Sequence, residues 1–259
     1  MSHVFAANRA VSGRVLRLFG ALWIASFLAL WSLTSFEVLP TPGQVLAAFA
    51  PLFTRHGLLP HLLASLEANL TALLIATALS LGLAYASVLP AVRPLAELIS
   101  KLRFWGFTGV TVVFTLLFPT GHDLKIALLV FGITGFFVTA MCDEVLAIPS
   151  ERFDHARTLG MSEWRVTWEV VVRGTLDRAF DVFRQNAAMG WMLLTAVETL
   201  VRSEGGVGVM LASQNKHMDL AGVAALQAVI FAVGIAQDYV IGLFKNLVCP
   251  HAALRVAGR

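Results

Sequence analysis

Six stretches of this chain are apolar for long enough, or nearly long enough, to cross a lipid bilayer: about residues 18–36, 62–89, 104–121, 124–142, 185–203 and 221–246. A hydrocarbon core about 30 Å thick takes roughly 20 residues of α-helix, and inside it each backbone N–H and C=O must be paired within the helix itself. The pattern therefore predicts an all-α polytopic membrane protein with about six transmembrane helices. At 58% hydrophobic and 14% charged over 259 residues, the chain is too apolar for a soluble domain and short enough for one membrane unit, so residues 1–259 read as a single domain. The first run follows Arg9, Arg14 and Arg17 as a signal peptide's would, but it is long for one and no small-x-small cleavage site follows, so a retained helix is expected. Only Pro119-Thr120-Gly121-His122-Asp123 separates the third run from the fourth, and the third is short enough to be tilted or partly re-entrant.

One long polar stretch, Asp143 to Arg184, interrupts the apolar pattern and carries much of the chain's charge. Within it, residues 150–165 read as two short helices meeting at Gly160. Ser150 is a candidate N-cap with Glu151 in the first turn. Phe153, Ala156 and Gly160 fall on one helical face, Gly160 stands where a helix end favours a left-handed residue, and Ser162 can cap the next helix. Trp164, Trp168 and Val171 or Val172 then form a second apolar stripe.

Of the 19 Lys and Arg residues, Arg55, Lys125, Arg202 and Lys216 fall outside and the other 15 inside if both termini and the 143–184 loop are cytoplasmic. The positive-inside bias selects that orientation and accounts for the net charge of +3, with no basic patch interleaved with aromatics to suggest nucleic acid. There is no Gly-x-x-x-x-Gly-Lys-Ser/Thr loop, no His-Glu-x-x-His helix and no Gly-x-Ser-x-Gly elbow, so neither ATP hydrolysis nor hydrolase chemistry has a carrier in this chain. The histidines are scattered, and Cys142 and Cys249 lie far apart without metal or redox spacing, as reduced structural residues would.

Asp154-His155-Ala156 with Gly160 six residues after Asp154, and Val170-Val171-Val172 beyond, resembles the EAA loop of ABC importer permeases, whose pattern is Glu-Ala-Ala, three residues, Gly, nine residues, Ile-x-Leu-Pro. Ala156-Arg157-Thr158-Leu159-Gly160-Met161-Ser162-Glu163-Trp164-Arg165 is closer still to the nitrate, sulfonate and taurine branch. Trp191 to Glu198, Gly205-Gly206-Val207-Gly208 and Asp219 resemble the C-terminal third of those permeases, and Leu39 to Leu46 and His61 to Ala86 match less sharply. The resemblance spans roughly residues 38 to 248, and the chain is divergent: Asp154-His155 replaces Glu-Ala, and Arg173 replaces the proline, leaving the second helix free to run on through Gly174-Thr175-Leu176-Asp177.

The resemblance implies a type I ABC importer permease bundle in the bacterial inner membrane, multi-pass, with about residues 143–184 as a cytoplasmic coupling loop. Phe153, Asp154, His155, Ala156, Arg157, Leu159, Gly160, Met161 and Ser162 would dock on a separate ATP-binding cassette subunit, which would bind ATP and Mg. Further implied partners are a periplasmic or lipid-anchored solute-binding protein, the surrounding lipid, and a second permease copy, as a homodimer or beside a different permease. The substrate would be a small solute such as an organic or inorganic anion. The competing class is a membrane assembly or structural protein with no transport role, which copurification with an ATPase would separate from the first.

Polar residues at membrane depth are costly and tend to face a bundle interior or a cavity. Glu198 is the clearest, and two roles fit it: a gate on the pathway, or a structural acid bonded to backbone amides of the Gly205-Gly206 turn, the latter favoured if the substrate is an anion. Asn186, Asn69 and Glu67 are further pathway candidates, with Thr71 and Ser80 beside them; hydrogen bonds that hold the helices together are the alternative for each.

Overall fold

The computed structural model describes residues 12–33 and 39–250, and each regular element among them is helical. Arg9, residues 34–36 of the first apolar run and His251 lie outside the described residues. Four helices are long and apolar enough to cross a membrane: α1 (Gly13–Leu33), α3 (Leu58–Ala86), α6 (Gly121–Leu146) and α11 (Leu220–Val248). A fifth, α9 (Leu176–Leu200), has the length, but Asp177, Arg178, Asp181 and Arg184 occupy its first turns, so its apolar part begins near the expected residue 185.

The centre of the bundle is α3, α6 and α9, which enclose Leu73, Ala76, Leu128, Leu129, Ile133, Phe137, Leu194 and Val197 without exposure. Burial of this kind holds the bundle by close packing, since lipid offers helices no hydrophobic drive to associate. Helix α2 (Pro42–Thr54) opens with a capping box, in which Thr41 and Gln44 bond each other's backbone N–H, and packs against α11. Helix α1 buries no residue, and Trp31 Nε1 ties its end to the carbonyl of Pro40 at 3.1 Å.

The third span departs from the sequence reading. Its apolar helix, α5 (Phe107–Leu117), has 11 residues, about 16 Å at 1.5 Å per residue, half of what a bilayer needs. The missing half is α4 (Arg93–Lys101) with a 3₁₀ turn over Leu102–Phe104, a segment whose charges made it read as a loop. Contacts with α6 run antiparallel in register: Ser100 Oγ meets Thr139 Oγ1 at 2.5 Å, the Arg103 backbone lies on Gly135, and Phe107 lies on Gly132. A Cβ on Gly135 would sit 3.0 Å from the Arg103 nitrogen, so glycine permits this approach. Lys101 and Arg103, counted on the inner side above, therefore lie at the junction of the two halves, and Lys125, counted on the outer side, is buried in α6.

Helices α6 and α9 extend to Leu146 and from Leu176, which shortens the connecting loop to 147–175. It holds α7 (Ser150–Thr158), α8 (Glu163–Val166) and a π-helical stretch, Thr167–Val172. Pro149, not Ser150, is the N-cap of α7, and Ser162 occupies the N-cap of α8 without its side chain accepting a bond from the helix amides. The second helix does not run on past Arg173. The chain turns over residues 173–175, where a Cβ on Gly174 would fall 2.0 Å from the Val170 carbonyl oxygen, and α9 then begins.

Candidate functional site

Two regions gather the candidate residues, one at the 147–175 loop and one at the opposite end of the bundle. At the loop, α7 ends in a Schellman arrangement: Met161 N–H bonds Ala156 C=O at 3.4 Å and Gly160 N–H bonds Arg157 C=O at 2.9 Å. Gly160 has φ +76°, the left-handed conformation expected there, and nothing lies within 4 Å of where its Cβ would be. Across this turn Arg157 clasps Glu163 with two bonds, 2.9 and 3.1 Å, and reaches Asp154 at 3.2 Å, so α7 and α8 form one unit. Hydrogen bonding to Glu163 raises the Arg157 pKa, and the same bond lowers that of the Glu163 carboxyl.

Ala156 is buried, Phe153 and Met161 are half-buried, and Asp154, His155, Arg157, Leu159, Gly160 and Ser162 are exposed. Phe153 enters a cavity shared with Ser87 at the end of α3, Arg93, Ala96 and Glu97 of α4, and Cys142 of α6. The second apolar stripe divides: Val166 and Val171 are buried, whereas Trp164 is 73% and Trp168 58% exposed, because the π-helical stretch shifts the helical phase.

At the opposite end, Glu198 is fully buried and each of its oxygens is occupied. Oε1 accepts from Ser65 Oγ at 2.7 Å and from Lys125 Nζ at 3.2 Å, and Oε2 accepts from the Gly208 N–H at 2.7 Å. Ser65 in turn accepts from Val207 N–H at 2.9 Å, Lys125 donates to Gly205 C=O at 3.3 Å, and His61 Nδ1 accepts from Gly206 N–H at 3.1 Å. The network binds α3, α6 and α9 to the start of α10 (Val207–Lys216), and Gly206, at φ +122°, has Glu198 Oε1 2.1 Å from where a Cβ would stand. This is the structural arrangement open to Glu198, with the Gly208 amide as its partner and with a lysine that local sequence did not pair to it. Asp219 caps α11 (Leu220–Val248) by accepting from Gly222 N–H at 2.9 Å.

No family model matches the chain. It is 28% identical over 207 residues to the taurine transport system permease protein TauC of Escherichia coli (strain K12), covering 74% of each chain. This likeness supports the reading of the chain as a divergent ABC importer permease. Its four helices long and apolar enough to cross a membrane fit a multi-pass membrane protein.

The remaining candidates in the chain fall into two surroundings. Asn69 is buried between α3 and α9, where Gly190 leaves it room: a Cβ there would lie 2.4 Å from Asn69 Oδ1. Its amide donates to Gln237 Oε1 at 3.4 Å, and Trp191 Nε1 donates to the same oxygen at 2.7 Å, so α3, α9 and α11 share one polar contact. Asn186 is buried and donates to its own helix at Val182 C=O, 2.9 Å away. Glu67 is not brought to either: it is exposed on α3 among exposed Leu63, Leu70 and Leu74.

Sequence reasoning missed Gln237 and two ion pairs that join α9 to α11. Arg184 grips Asp238 with both nitrogens at 2.5 Å, and Lys245 pairs with Asp181. The signal was present in the order of charges, acid then base along α9 and the same along α11, which pairs each acid with a base when the two helices run antiparallel.

Proposed function

We propose that the permease imports a small organic or inorganic anion, and that the 147–175 loop couples its motion to ATP hydrolysis on a separate subunit. The observation that carries this reading is the α7, Gly160, α8 unit. It is tied internally by Arg157, presents Asp154, His155 and Leu159 to solvent, and is joined to the spans by Phe153 in the cavity beside α4 and α6. A rigid, exposed unit of this form transmits a push from a partner because it is not free to fold away from it. The relative's printed function, taurine transport, supports a sulfonate or another small anion as the substrate.

In this reading ATP and Mg belong to the partner, a solute-binding protein delivers substrate from outside, and both termini and the loop face the cytoplasm. Two copies of the chain form the pathway. His155 and Arg173, which depart from the family pattern, are exposed and disturb neither the turn nor the span, as expected of drift within a homodimer rather than of a subunit specialised for a different partner.

Purification of the assembled complex tests the reading, with ATPase activity and anion uptake measured on Gly160→Leu. Glycine at φ +76° is replaced by a residue strained there, at a cost of about 1 kcal/mol. The space around it is open, so the variant inserts and folds. Uptake is expected to fall about tenfold or more while ATP hydrolysis persists. Normal uptake by Gly160→Leu, or purification without an ATP-binding subunit, refutes the coupling role.

A further inference from the structure

The third span carries charge at mid-height with no acid to match it. Arg103 lies in the turn between α4 and α5, with its backbone on Gly135 of α6. Along α6 the apolar stretch is bounded by Lys125 and Asp143, and Gly135 lies about 15 Å from the first and about 12 Å from the second at 1.5 Å per residue. The nearer boundary is farther than an arginine side chain reaches. Arg103 is exposed, with its guanidinium 4.9 Å above the Phe104 ring, and it has no ion-pair partner among the described residues. Lys101 is exposed and likewise without one, while the acid on the same helix, Glu97, is held by Arg93 at 3.4 Å.

Helix interruption adds an independent reason to place water here. Trp105 and Gly106 leave the helical conformation, at ψ 122° and 139°, and Phe104 and Trp105 are 76% and 63% exposed. Irregular backbone is tolerated at membrane depth where it is buried in protein or lines a water-filled cavity. Nothing among the described residues of the chain covers this break, so on the two-copy reading it faces the path between the copies. An unpaired arginine at the same level excludes plain lipid, because a charge there is costly unless it meets water or a counter-charge.

We propose that Arg103 is an anion contact on the translocation path, receiving the oxyanion group of the substrate, a sulfonate or carboxylate, at the break of the third span. The proposal rests on the anion-importer reading above and names its site. The guanidinium fork matches two oxygens of such a group, and stacking on Phe104 occupies one face while leaving the N–H edge free. Lys101 supplies the next cation toward the loop. Because Phe153 of α7 shares its cavity with Arg93, Ala96 and Glu97 of α4, a shift of the loop reaches the helix that leads into the Arg103 turn.

The test uses the full complex in proteoliposomes, with Cys142 and Cys249 replaced by serine and Arg103→Cys introduced. Uptake of radiolabelled taurine, ethanesulfonate and nitrate is measured. Loss of the charge-assisted contact is expected to reduce uptake roughly tenfold to a hundredfold. A methanethiosulfonate reagent that adds an ammonium group is expected to restore most of it, and one that adds a sulfonate is expected to restore none. Excess substrate anion slows labelling. Uptake within about twofold of the parent, equal effects of the two reagents, or no labelling at all overturns the proposal. Should the cysteine variant fail to insert, Arg103→Lys and Arg103→Gln decide it: KM rises about tenfold or more with Gln and stays within about threefold with Lys if the charge is the contact. Failure of the parent complex to take up any of the three anions instead refutes the anion-import reading itself.

Discussion

Replacing Glu198 by glutamine isolates the ion pair at the opposite end of the bundle from the loop. Glutamine keeps an oxygen for the Gly208 amide or the Ser65 hydroxyl, 2.7 Å from the carboxylate in each case, but leaves the Lys125 ammonium, 2% exposed, without its counter-charge. Breaking one half of a buried pair costs about 3–5 kcal/mol, because the remaining charge is stranded rather than because the pair is strong. Neutralising both partners, as Glu198→Gln with Lys125→Met, removes the stranded charge and leaves mainly the Gly205 carbonyl without its 3.3 Å donor, a cost of about 1–2 kcal/mol. The double variant is therefore expected to be more stable than the single one.

Thermal unfolding of the purified protein, followed by loss of monodisperse folded material, reads the difference. At roughly 2–4 °C per kcal/mol for a chain of this size, the single variant is expected to melt about 10 °C below the parent and the double variant to recover at least half of the loss. A single variant melting within about 2 °C of the parent, or a double variant no better than the single, refutes the reasoning. Uptake measured on the same samples separates the two roles of Glu198: activity that falls in proportion to folded protein marks a structural acid, and activity lost at an unchanged melting point marks a gate.

Gly208→Ala is expected to destabilise by about 1–3 kcal/mol, since its Cβ would fall 2.6 Å from the Thr195 carbonyl oxygen and 2.8 Å from Glu198 Cβ; an unchanged melting point would show that α10 can move away from α9. Cysteines at Ser162 and Ser203, both exposed, are expected to label from the cytoplasmic and the outer side respectively, and outside labelling of position 162 in intact cells inverts the topology. The Arg157–Glu163 clasp has a pH dependence set by the depressed Glu163 pKa: its contribution is present above the ordinary carboxylate range and is lost as pH falls through the lowered value. Hydrogen exchange of the α7 and α8 amides is expected to quicken, beyond the intrinsic pH effect, only below that range, and the Glu163→Gln variant is expected to show no such step.

Features legible in one dimension were decided by the sequence alone. Apolar runs of membrane length located α1, α3, α6 and α11, since a spanning helix must be apolar over its whole length. Gly160 marked its own left-handed turn, because that effect acts within a few residues. Glu198 stood out as an acid in an apolar run, and its tie to the glycine turn was close enough along the chain to anticipate.

What lay in contacts between distant segments was decided by tertiary structure. Lys125, 73 residues from Glu198, read as an outer loop charge until packing brought the two together and buried both. Residues 93–103 read as a loop because charge lowers hydropathy, yet they complete the third span by lying along α6, where Gly135 allows the backbone of Arg103 to approach. Trp164, Trp168 and Val171 fell on one apolar stripe by α-helical count, and the π-helical stretch from Thr167 to Val172 changed that count. In each case the local pattern specifies what a segment is able to form, and packing against a segment far away in the chain decides which side is covered and which charge is paired.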